Sequence, residues 1–254
     1  MINLSVAALI LLALLFFITS AIGVVTGSNS LITVPVMFQF GIEPKMAVAT
    51  NMFGLTFMSI GASIPFLRQN VIDKKRLPKL VSVTIFGSAI GAFLVGVIKS
   101  EWMPIIVSVS MIFVCIFTLV KRDSGVKKEH AVSLNSLIIA YVLAFLLAIY
   151  GGLFSGGYVT MLTAVFVAFF GMTFTEAIAE TKIINVFSSA VATIIFMWQG
   201  LVDYRLGAML AVVMFIGAYT GAHFVTKLND LWLKRIFLTT VLLLAIKTIY
   251  DFVK

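Results

Sequence analysis

Between Gly23 and Asn51 the chain reads GVVTGSNSLITVPVMFQFGIEPKMAVATN, as apolar as a membrane interior yet broken by Gly, Ser, Thr, Asn and Pro. The run from Ser28 to Phe40 lies between two glycine breaks. As a helix rising 1.5 Å per residue it reaches only roughly 20 Å, short of a hydrocarbon core of about 30 Å. The same design recurs from Gly152 to Asn185, where the short segment is Tyr158 to Phe170. Two interrupted apolar segments at corresponding places in two halves point to a binding site of the transporter kind.

The rest of the chain fits that setting. Only 11% of its residues are charged and its mean hydropathy is +1.15, against about 25% charged in soluble domains. It reads as an all-α polytopic integral membrane protein, surrounded by membrane lipid. The net charge of +8 sits in short loops, where it sets topology and does not form a nucleic-acid surface. Cys115, the one cysteine, lies in an apolar run and excludes an intrachain disulfide. Residues 1–25 lack a basic n-region and read as a membrane helix, not a signal peptide.

In order, the segments are Leu4–Val25, the short Ser28–Phe40, Pro44–Leu67, Leu80–Ile98 and Trp102–Val120. A polar linker over 121–133 follows. Then come Leu134–Tyr150, the short Tyr158–Phe170, Phe174–Trp198, Leu206–Thr226 and Trp232–Phe252. This gives halves over 1–120 and 134–254, each with about four long helices and one short interrupted or re-entrant one, eight to ten segments in all. Sliding the chain by 130 positions aligns residues 40–105 with 170–235 at 18 identities in 66 pairs. Composition explains matches among Ala, Val, Ile and Phe. It does not explain Gln69/Gln199, Asp73/Asp203 and Trp102/Trp232 in one ungapped register. The halves read as a duplication.

Whether the copies are parallel or inverted depends on the short segments. If these are re-entrant, the copies are parallel and basic loop residues split 11 inside to 5 outside. If they complete crossings, the copies are inverted and the split becomes 12 to 4. The positive-inside rule favours inversion.

Several polar residues fall where chemistry is expected. Ser28, Asn29 and Ser30 follow Gly27 at the start of the first short segment, and Ser155, Gly156 and Gly157 precede the second. A helix that begins inside a membrane presents unpaired N–H groups and its positive dipole end, which attracts an anion. Plain capping and close packing are the competing explanation. Lys182 lies about eight residues into its helix, roughly 12 Å deep, and shares a face with Asn185 and Ser189. An ammonium, an amide and a hydroxyl suit an oxyanion; a salt bridge to Glu180 or snorkelling is the alternative. Thr50 and Asn51 stand at the positions of Glu180 and Thr181 in the other copy, and Lys182 aligns with Met52, so it has no cationic twin. Asn51 and Thr181 are expected to face the centre. Glu180 and His223 are candidates for proton coupling. Thr173-x-x-Glu176 has the form of a capping box. Gly87-x-x-x-Gly91 and Gly217-x-x-x-Gly221 read as helix-packing stripes. No nucleophilic triad, metal-ligand spacing, P-loop or dinucleotide fingerprint occurs, so neither an enzyme nor a cofactor or metal is expected.

The motifs G-x-x-T-G-S-N-S-L-I-T-V-P (Gly23 to Pro35) and A-V-A-T-N (Ala47 to Asn51) resemble the TauE/SafE sulfite exporter family. So do G-G-L-F-S-G-G (Gly151 to Gly157), A-I-A-E-T-K (Ala177 to Lys182) and G-L-V-D-Y (Gly200 to Tyr204). The resemblance covers nearly the whole chain, although Ser28, Asn29 and Ser30 stand where the family pattern carries more glycine. It implies an inner-membrane carrier for sulfite, sulfonates or related sulfur oxyanions, described with seven or eight spans. The expectation is an exporter working by alternating access on a small anion, coupled to protons or another ion and compatible with a homodimer. A passive anion channel and a non-transporting assembly factor are the alternatives.

Overall fold

The computed structural model describes residues 5–27, 29–68, 71–120 and 133–227, with the isolated positions 232, 235 and 239. Ser28, Gln69, the polar linker up to residue 132, the Cys115 side chain and nearly all of the last apolar segment lie outside the described residues. The described residues form helices α1 (Val6–Thr26), α2 (Ser30–Gln39), α3 (Pro44–Leu67), α4 (Leu77–Val97), α5 (Met103–Val120), α6 (Leu134–Leu153), α7 (Tyr158–Phe170), α8 (Phe174–Trp198) and α9 (Tyr204–Val225). One 3-10 turn, Ser100–Trp102, leads into α5. No strand occurs among the described residues.

Six of these helices, α1, α3, α4, α6, α8 and α9, are long and apolar enough to cross a membrane. They divide by burial. α3 and α8 have 72% and 61% of their most apolar windows buried, while α6 has 28%. The two polar-rich spans therefore form the centre, and the more hydrophobic ones turn Phe86, Val97, Ile138 and Leu146 outward, toward the acyl chains of a membrane.

Hydrogen bonds fix the direction of the central pair. The Thr50 hydroxyl accepts from Asp203 N–H at 3.0 Å, Thr56 meets Thr193 at 3.2 Å, and Asn185 Nδ2 donates to Ser59 Oγ at 2.6 Å. Beyond α3, Asp73 N–H donates to Glu180 Oε1 at 3.1 Å. Partners in α8 fall in number as those in and beyond α3 rise, so α3 and α8 run antiparallel. Corresponding helices of two copies can do so only if the copies are inverted, as the loop charges favoured. Advanced by 130, the Asp73–Glu180 contact maps onto Asp203–Thr50. The caps repeat too: Asp73 Oδ1 accepts from Lys75 and Arg76 N–H, and Asp203 Oδ1 from Arg205 and Leu206 N–H. The Lys75 bond, with Arg76 adding to it, holds the Asp73 carboxyl below its usual range.

The short helices follow from this arrangement. Ser136 Oγ near the start of α6 donates to Phe169 O near the end of α7 at 2.9 Å. Tyr150 OH near the end of α6 donates to Gly156 O just ahead of α7. α7 thus runs back along α6 and, with the loop before it, returns the chain to the end where α6 began. It does not dip in and out of one face. Its 13 residues put its N-terminus roughly 20 Å from that end.

Each copy's fourth helix packs on the first helix of the other copy, α4 on α6 and α9 on α1. The glycine stripes permit this. A Cβ at Gly91 would collide with the Ile149 carbonyl, and one at Gly221 with the Ala21 carbonyl.

Candidate functional site

The last turn of α1 and the first turns of α2 and α7 meet between α3 and α8. α1 closes on Gly27, whose φ of 67° gives the left-handed C-cap and whose N–H bonds to Gly23 O at 2.9 Å. A Cβ there would also strike Thr160 N of α7 at 2.7 Å. Position 27 therefore needs glycine for its conformation and for its clearance. The Thr160 hydroxyl donates to Thr26 O, and Ser30 Oγ lies 2.7 Å from Ser155 Oγ, which ties the two turns together. Among the described residues no N-cap side chain caps either short helix. Asn29 at the α2 N-cap makes no cap bond, and the α7 N-cap is Gly157, at φ 78°.

A small cavity sits at this junction, with room for about one water molecule. Its polar wall is Gly23, Asn29, Ser30, Ser155, Lys182 and Asn185. Lys182 is 3% exposed, and its Nζ donates to Gly23 O at 2.9 Å. Asn185 reaches the cavity one turn further along α8, and Ser59 faces it across the gap. Behind Ser30, Asn51 donates to the Ser30 hydroxyl at 2.8 Å and accepts from Thr33 at 2.8 Å. Asn29 Nδ2 contacts Met58 Sδ at 3.5 Å, and its buried Oδ1 has no partner among the described residues. Each helix N-terminus contributes about half a positive charge. Two of them beside one lysine make a pocket that favours an anion.

The expected site residues divide. Gly27, Asn29, Ser155, Lys182 and Asn185 line the cavity, and Asn51 supports it from one layer back. Gly156 and Gly157 belong to the loop and cap that aim α7. Thr50 bonds the Asp203 backbone at the far end of α3, and Thr181 meets Thr163 at 3.3 Å. Ser28 lies outside the described residues. His223 is exposed on α9, edge-on to Phe224.

The Lys182–Glu180 ion pair, the alternative to an anion contact, does not form. Residues two apart on a helix face different ways, and Glu180 instead binds Arg76 through both oxygens, at 2.8 and 3.3 Å. That pair closes the end of α3 and α8 nearest the 68–79 loop. At the opposite end the matching contact is the uncharged Asp203–Thr50 bond. The sequence reading missed the Gly23 carbonyl and Ser59. Ser59 was marked by its identity with Ser189, whereas a backbone carbonyl leaves no signal. Among the described residues no group of three or more His, Cys, Asp or Glu side chains could hold a metal.

Across residues 12–248 the chain matches the family described as Sulfite exporter TauE/SafE. It belongs to that family. Curated relatives span the same length. A Sinorhizobium protein named Probable membrane transporter protein ORF9 is 25% identical over 244 residues, 95% of this chain and 93% of its own. The Escherichia coli K12 protein named Probable membrane transporter protein YfcA is 24% identical over 245 residues, 95% of this chain and 91% of its own. A Haemophilus influenzae protein named Probable membrane transporter protein is 25% identical over 249 residues, 95% of both chains. No solved structure matches the chain significantly. The TauE/SafE family is one of membrane transporters, and this member is a multi-pass membrane protein.

Proposed function

We propose that this protein is a secondary permease of the inner (plasma) membrane. It moves small sulfur oxyanions such as sulfite or an organosulfonate, in the direction of export, by alternating access around the cavity. The observation that carries this reading is the convergence of two uncapped helix N-termini and buried Lys182 on one pocket. The inverted central pair supports it, since rocking one copy against the other exposes a central site to each face in turn. The cavity is too small for an oxyanion as it stands, as a closed state between two open ones requires.

Flux of sulfite into proteoliposomes tests the reading. The native protein should show saturable uptake, and Lys182→Ala should lose it while eluting as a folded species. Unchanged flux in Lys182→Ala removes Lys182 from the site. Flux that rises linearly with sulfite concentration favours a passive channel. A protein whose thermal stability is shifted by none of sulfite, sulfate, thiosulfate and small sulfonates fits an assembly factor instead.

A further inference from the structure

Among the described residues Lys182 has no counter-charge. Its one hydrogen bond to them goes to a neutral carbonyl, Gly23 O. Among the described residues no other ionisable side chain lines the cavity from α1, α2, α3, α7 or the loop before α7. The carboxylates on its own helix are committed elsewhere, Glu180 to Arg76 and Glu176 to the Thr173 N–H of the α8 cap. An ammonium held in such a place without an anion costs free energy that a neutral amine avoids. An anion in the cavity reverses the balance, because it supplies the missing charge at contact distance.

Asn29 Oδ1 points to the same event. It is a buried acceptor with no donor among the described residues, on the wall that holds Lys182. A neutral amine has two N–H groups and an ammonium has three. With one on Gly23 O, the ammonium has a second for Asn29 Oδ1 and a third for an oxyanion.

We propose that Lys182 takes up a proton as the anion binds, so that proton and anion cross together. This rests on the anion-permease reading above and adds the coupling ion. The proton joins the Nζ lone pair on loading and leaves it when the anion leaves; no other bond forms or breaks. A monoanion then travels with its proton as a neutral pair, so the membrane potential exerts no force on it and its own concentration gradient drives it outward. A dianion travels with one net negative charge, so a potential negative inside drives it outward. Binding of either partner strengthens binding of the other by the same factor.

The test uses thiosulfate and methanesulfonate, neither of which takes up protons itself between pH 6 and 9. Purified protein in weak buffer with a pH dye is mixed with each anion, and binding is followed in parallel by thermal shift. The expected result is uptake of about one proton per anion bound toward the alkaline end of the range, fading as pH falls. Lys182→Arg, with a cation that cannot deprotonate, should still bind anion with no proton uptake. Lys182→Met, which copies Met52 of the other half, should fold and take up none. Anion binding with no proton uptake at any pH overturns the proposal and leaves the permease reading standing. Undiminished uptake in Lys182→Arg or Lys182→Met also overturns it. Absence of binding by both anions and by sulfite removes the permease reading and this proposal together.

Discussion

At the scale of single residues, the cavity depends on side chains that each hold a backbone end in place. Asn185 is the clearest case. It is 3% exposed, lines the cavity, and donates to Ser59 across the α3–α8 seam. Asn185→Ala leaves the buried Ser59 hydroxyl unpaired, at a cost of about 1–3 kcal/mol. A lower unfolding midpoint in detergent and weaker sulfite affinity are both expected. Asn185→Ser should recover part of each. Much of this was legible in the sequence. Gly27, Asn29 and Lys182 are out of place in an apolar helix unless they have a task. What was not legible was pairing. Sequence places Glu180 two positions from Lys182, but only the antiparallel docking of α3 and α8 brings Arg76 from 104 positions away to claim it.

Between elements, the two ends of the α3–α8 seam are closed by related contacts of unequal chemistry. Near the 68–79 loop Glu180 is fully buried and paired with Arg76. At the other end the same geometry uses Thr50, and Leu206 stands where Arg76 would. Removing one partner of a buried ion pair costs about 3–5 kcal/mol, more than losing one neutral bond of about 1 kcal/mol. Glu180→Gln should therefore favour opening toward the 68–79 loop. With Cys115→Ser as background, a cysteine replacing Ser59 should react faster with a polar thiol reagent added from that side. An unchanged rate means the pair does not hold this end shut. The element bounds themselves were largely readable. Pro44, the Thr173–Glu176 box and the flanking glycines mark α3, α7 and α8 at the residues where they start and stop. α2 is shorter than its apolar run, because Asn29 serves as its cap and Gln39 ends it.

For the whole molecule, orientation follows from the antiparallel pair. Gln199 at the end of α8 reaches Ala92 O at 3.5 Å, and Lys45 in the first turn of α3 reaches Gly96 O at 3.1 Å, so both belong to the end where α4 finishes. Single cysteines replacing Lys99 and Gly200 should therefore label from one face of the membrane, and cysteines replacing Lys75 and Lys227 from the other. Labelling of positions 200 and 227 from swapped faces would mean parallel copies. Loop charges hinted at this orientation but divided 12 to 4 against 11 to 5, too small a difference to decide. The hydrogen bonds between α3 and α8 decide it, and they join residues on different copies that no local pattern connects.

The exchange of outer helices between copies also has a bearing on biogenesis. α1 leaves the ribosome before α9, and the surface that Gly217 and Gly221 open for it is synthesised almost two hundred residues later. Until then Ser20 and the broken end at Gly27 must wait in lipid or against the translocation machinery. Neither half can complete itself. A chain cut within the linker should regain activity only when both fragments are made in the same cell, and a ribosome that stalls before α9 leaves a product fit only for degradation.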